Sequence, residues 1–148
     1  MDTKICFYDK AEDALLKFAV IIARMEEKWV LCRHKDRNTW EFPGGHREEG
    51  ESILETARRE LYEETGATDF QIEPVGIYSV EGDYPINREF GGKTYGMLYC
   101  AQIRSLEGDL ACEIEEIMRT KQLPENWTYP DIQPRLLEEA GRKGLLWD

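Results

Sequence analysis

Nowhere in the 148 residues do 18 apolar side chains run together, and the first segment, Met1 to Lys10, has no apolar core behind a basic start. These absences argue against a bilayer-spanning helix and against an export signal. A non-exported, cytoplasmic protein with no membrane partner is the expectation. The chain also lacks a CxxC pair or any other metal-type spacing: Cys6, Cys32, Cys100 and Cys112 are scattered through apolar surroundings. They read as reduced core thiols, and a structural zinc site is not expected. Positive charge is scarce as well, with 19 Lys and Arg against 30 Asp and Glu and a net charge of −11. Such a balance disfavours non-specific attraction to nucleic acid and points to a small-molecule substrate. Anionic substrates stay open, because divalent cations would invert the local field around the seven glutamates between Glu48 and Glu64. Repeats, low-complexity tracts and linkers are missing too, so residues 1–148 read as one domain of 17.3 kDa.

What is present centres on Gly45 to Ala67. Ser52 with Glu55 three residues later forms a capping box ahead of an apolar-periodic run, and Gly66 stands where a helix wants a left-handed stop. The pattern predicts a helix over about 52–65. At i, i+3 and i+4 on it, Glu60, Glu63 and Glu64 share one face, and such like-charge neighbours repel by roughly 0.2 to 0.5 kcal/mol per pair even when solvated. Turning about 100° per residue, Ile53, Ala57 and Glu64 fall on nearly one line, with Leu54 and Leu61 beside it. The acidic patch therefore borders the core, as ligands lining a cleft must. With a backbone carbonyl of Gly44 or Gly45 it makes an all-oxygen site suited to Mg²⁺, or Mn²⁺.

The spacing of these residues has a familiar form. Gly45, five residues, Glu51, seven residues, then Arg59-Glu60-Leu61-Tyr62-Glu63-Glu64-Thr65-Gly66 resembles the signature of the Nudix hydrolases, and Trp40-Glu41-Phe42-Pro43-Gly44-Gly45 resembles the approach to that box in MutT-like members. Ala67 stands where a larger aliphatic residue is usual. The resemblance implies an α/β fold, the Nudix α/β/α sandwich with a mixed sheet between helices. It also implies metal-dependent attack of water on a pyrophosphate bond of a nucleoside diphosphate derivative. A nucleoside triphosphate, oxidised purines included, is the first expectation. ADP-ribose, nucleotide sugars, dinucleoside polyphosphates, the 5′ end of RNA and a non-catalytic nucleotide-binding module are the alternatives. By motif position Glu60, Glu63, Glu64 and Gly45 would hold the metal, Arg59 would orient the glutamates, and Glu51 would support them from the helix start. A further acid from late in the chain is implied, with Glu113 the first choice and Glu116 the second.

Around the box, Cys6 to Tyr8 reads as a short edge strand. Phe18 to Ala23 reads as a strand covered on both faces, and Lys28 to Cys32 as its hairpin partner. Residues 33–38 are rich in basic groups, and Arg33 is the first candidate for a phosphate clamp. His34, Lys35 and Arg37 read as ordinary turn residues. Phe70 to Val80 is an expected strand with Pro74 at an edge or bulge, followed by a substrate-facing loop, Glu81 to Lys93, that carries Arg88. Thr94 to Ile103 alternates Tyr95, Met97 and Tyr99 against Gly96, Leu98 and Cys100, so one face, Tyr95 foremost, is available to stack a base. Ser105 to Asp109 is an expected turn, Glu113 to Met118 a strand, and Asp131 to Arg142 a C-terminal amphipathic helix.

Overall fold

The computed structural model describes residues 3–107 and 114–144. Within them the chain builds strands β1 (Lys4–Tyr8), β2 (Leu16–Met25), β3 (Lys28–His34), β4 (Gly44–His46), β5 (Ala67–Glu81), β6 (Lys93–Leu106) and β7 (Ile114–Thr120). Its α-helices are α1 (Ile53–Thr65), the short α2 (Pro85–Arg88) and α3 (Gln133–Arg142). One mixed sheet runs β1-β5-β6-β2-β3-β7, with β4 also paired to β2. Only β2 and β6 pair in parallel; the other ladders are antiparallel.

Strand β2 organises both layers, because alternation sends successive side chains to opposite faces. Ala19, Ile21 and Ala23 pack with Val30 against Ile53, Ala57 and Leu61 of α1. Val20 and Ile22 pack with Leu31 and Phe42 against Leu136 and Ala140 of α3. The sheet is thus covered on both sides, giving the expected sandwich. Leu61 is fully buried, and truncating it to alanine should cost about 2 to 5 kcal/mol.

Most expected elements appear at their expected places, and the departures have local causes. Leu54 is 39% exposed, since one residue of helix turns it away from the Ile53 line. Strand β6 runs on to Leu106, because its ladder with β5 continues to the Ala67–Leu106 pair. The turn expected over 105–109 therefore begins later, and its end lies outside the described residues. A register shift between Pro74 and Gly76 supplies the bulge that proline demands. Inside the 81–93 loop, α2 is fastened by a buried side chain. Asn87 Nδ2 donates to Val80 O and Gly82 O, each at 3.0 Å, and Thr94 Oγ1 donates to Asn87 Oδ1 at 2.5 Å. Helix α3 opens at Gln133, with proline in its first turn.

Candidate active site

Helix α1 carries the acidic face and is pinned at both ends. Ser52 caps its N-terminus in a complete capping box, and Gly66 closes it at φ 80°, where a side chain would be strained. Before the helix, β4 lies on β2 and holds Gly44 and Gly45 beside α1. A Cβ on Gly45 would fall on the Glu60 carboxyl group. Only glycine lets this strand pass so close to the acid.

Arg59 is the hub of the cluster. Its Nε donates to Glu51 Oε2 at 2.6 Å, and its Nη1 donates to Glu60 Oε1 at 2.7 Å and to Glu63 Oε2 at 3.4 Å. Its Nη2 reaches His46 O at 3.0 Å, tying the helix back to β4. The Arg59 guanidinium holds the Glu51 carboxyl at about 2. Glu60 goes the other way and is pushed up to about 7, by burial first and then by the Glu64 and Glu63 charges. Arg59 opposes that shift without cancelling it.

Glu64 is the most enclosed of the three, at 5% exposure. Gly44 N–H donates to its Oε1 at 2.7 Å. His34 brings Nε2 within 2.8 Å of its Oε2, though without hydrogen-bond alignment, and that buried nitrogen has no hydrogen-bond partner among the described residues. The Glu64 carboxylate still raises the His34 pKa, against the opposing effect of burial. Glu41 lies 3.8 Å beyond on the same imidazole and also binds Arg37 at 3.2 Å. Burial pushes its carboxyl up. Under this group, Cys32, His34 and Glu64 each offer a ligand-type atom, all within 4.8 Å of one another.

On the α3 side of β4 lies a cavity of about 290 Å³, lined by Phe18, Phe42, Gly44, Tyr78, Gly96 and Gln133 among others. Gly44 therefore touches the acidic cluster on one side and the cavity on the other. Gln133 is 4% exposed, and its Oε1 accepts from Phe42 N–H at 2.7 Å. That bond fixes the amide so that its NH₂, a donor only, is what remains for the cavity.

These features coincide with a known pattern, since the model of the NUDIX domain matches residues 15–140. The chain belongs to the NUDIX domain family. Over 79 residues this Nudix chain is 39% identical to YtkD of Bacillus subtilis, whose provisional name is 8-oxo-dGTP diphosphatase; the match covers 53% of this chain and 49% of that protein. Over 78 residues it is 36% identical to an RNA pyrophosphohydrolase of Bartonella henselae, covering 51% and 44% of the two chains. The matched stretch thus spans about half the length of either curated relative. The fold likeness reaches further. A crystal structure of the Bacillus subtilis pyrophosphohydrolase BsRppH superposes with a TM-score of 0.78 at 27% identity, covering 98% of this chain and 93% of that one.

Of the other residues singled out in the sequence, Arg33, Arg88 and Glu116 lie away from the cavity lining. Arg33 faces away from His34 on β3, where its guanidinium donates to Glu116 Oε1 at 3.3 Å and to Arg37 O at 3.0 Å. That pairing also engages Glu116, the second choice for an extra acid, whose side chain is 58% exposed. Glu113, the first choice, lies outside the described residues. Arg88 is exposed beside Asp83 at 3.5 Å, away from the cavity lining. Tyr95 is among the residues lining the cavity, its ring also packing on Tyr8 with centroids 5.4 Å apart, and Tyr78 lines the same cavity. Sequence reasoning passed over Arg37, Glu41 and Gln133, all of which line the cavity. Arg37 has its place in the basic stretch 33–38 and Glu41 in the Trp40-Glu41-Phe42 approach, while Gln133 carries no such signal.

Proposed function

We propose that this Nudix chain hydrolyses a nucleoside triphosphate to the monophosphate and pyrophosphate with Mg²⁺, Mn²⁺ being a substitute. The observation that carries the reading is Gly44, which adjoins a carboxylate cluster suited to phosphates through a metal on one side and an aromatic-lined cavity suited to a base on the other. The donor set fits a hard divalent cation. It is all oxygen, and the Glu60 carboxyl, held at about 7 by burial and like charge, would be relieved by one. Glu60, Glu63, Glu64 and the Gly45 carbonyl would hold the ion. When bound, such an ion neutralises pyrophosphate charge and acidifies an attacking water. Arg59 orients Glu51, Glu60 and Glu63 through its hydrogen bonds to them, and the cavity holds the nucleoside. Gln133, restricted to donating, matches the carbonyl of an oxo-purine and opposes the amino group of adenine. A small nucleotide in the cytoplasm is the setting that a net charge of −11 favours over nucleic acid.

A panel of 8-oxo-dGTP, dGTP, dATP, ADP-ribose, diadenosine tetraphosphate and 5′-triphosphate RNA, with Mg²⁺ and product analysis, tests this. Monophosphate plus pyrophosphate, fastest from an oxo-purine triphosphate, is expected. Cleavage of ADP-ribose with the triphosphates idle would overturn it. The second reading is action on the 5′ triphosphate of RNA, favoured by the likeness to an RNA pyrophosphohydrolase. It predicts that the RNA outcompetes free triphosphates.

A further inference from the structure

We propose that Cys32, His34 and Glu64 form a site for a borderline-soft divalent cation, Zn²⁺ above all, whose donor set differs from the all-oxygen set of the acidic face. Alternation along β3 puts Cys32 and His34 on the same face, turned toward α1, where Glu64 meets them. The three ligand atoms lie within 4.8 Å of one another. A tetrahedral zinc, with about 2.3 Å to sulfur and about 2.0 to 2.1 Å to nitrogen and oxygen, separates its ligand atoms by roughly 3.3 to 3.6 Å. Side-chain adjustments of about 1 Å would complete it.

A second, independent feature is the buried His34 Nε2 with no hydrogen-bond partner among the described residues. The surroundings favour a cation as well. Glu41 reaches the same imidazole at 3.8 Å, so a cation held there meets a second carboxylate. Binding releases protons: the Cys32 S–H bond and the N–H bond at the ligating His34 nitrogen break, both protons leave to solvent, and thiolate, neutral imidazole and carboxylate become ligands, with water in the fourth position.

The site shares Glu64 with the acidic face, so Zn²⁺ and the hydrolytic metal compete for one carboxylate and Zn²⁺ acts as an inhibitor. This inhibitory half rests on the proposed hydrolysis; the binding half does not. Titrating metal-free full-length protein with Co²⁺ separates them, because cobalt bound to a thiolate gives a near-ultraviolet charge-transfer band independent of turnover. One equivalent of Co²⁺ should raise that band, and Zn²⁺ should bleach it. Cys32→Ser should abolish the band, and His34→Gln should weaken Co²⁺ binding by about 10-fold or more. Cys100→Ser and Cys112→Ser should leave it intact. Thermal melts of each variant check folding, and His34→Gln, on a side chain that is 23% exposed, keeps the test valid if Cys32→Ser unfolds. In the activity assay, the Zn²⁺ concentration for half inhibition should rise at least about 10-fold in His34→Gln relative to its own uninhibited rate. No band, or a band that follows Cys100 or Cys112, overturns the site. A band without inhibition leaves the site standing and overturns the competition.

Discussion

Replacing Glu60 by Gln should stabilise the metal-free protein at neutral pH and leave it unchanged in acid. In the fold this carboxyl is held at about 7, against an ordinary value of 4.5 when the chain is unfolded. The sign follows from proton counting. Below about pH 4.5 both states are protonated and Glu60 has no pH-dependent effect. Between about 4.5 and 7 the unfolded chain ionises while the folded one does not, so stability falls as pH rises. Above 7 the loss is complete, at about 3 kcal/mol by the linkage relation. The side chain is only 13% exposed, so solvent screening removes little of this. Gln keeps an oxygen for Arg59 Nη1, now 2.7 Å from Glu60 Oε1, and the pairing of the ionised carboxylate with Arg59 is already contained in its position at about 7. The net expectation at pH 8 in EDTA is a gain of about 3 kcal/mol, or about 6 to 12 °C in Tm. Urea unfolding of both proteins at pH 4.5, 6 and 8 measures it. Adding Mg²⁺ should close most of that gap, since a ligand at 100 times its Kd stabilises the protein that binds it by about 2.7 kcal/mol. Parallel stability profiles for the two proteins from pH 4.5 to 8 would refute the reasoning.

Glu64→Gln should keep the fold while lowering turnover on the order of 10² or more, read by steady-state kinetics at saturating Mg²⁺. Excess EDTA should abolish hydrolysis, and added Mg²⁺ should restore it. Gln133→Glu keeps an oxygen for Phe42 N–H but turns the remaining donor into an acceptor, so the ratio of kcat/KM for oxo-purine over adenine triphosphates should fall by about 10-fold or more. Gly45→Ala should lose both turnover and thermal stability, because its methyl group would meet the Glu60 carboxyl.

Local chemistry set much of this protein in the linear chain. Ser52, Glu55 and Gly66 bound α1 by capping and a left-handed stop, and these interactions close within a few residues. The apolar run of β2 announced burial on both faces, and helical spacing placed Glu60, Glu63 and Glu64 together, because three and four residues are nearly one turn. Contacts between residues far apart in sequence were decided by tertiary packing. Arg33 and His34 are neighbours in the chain, yet strand alternation sends the first to Glu116 and the second to Glu64. Tyr95 and Tyr78 lie on different strands, β6 and β5, and only the pairing of those strands brings both to the cavity wall. Gln133 becomes a fixed donor through a bond to Phe42, 91 residues away. Cys32, without a recognisable metal spacing, meets Glu64 only because β3 and α1 pack face to face. Periodicity reports which side of an element is buried; what lies across from that side is settled when the layers close.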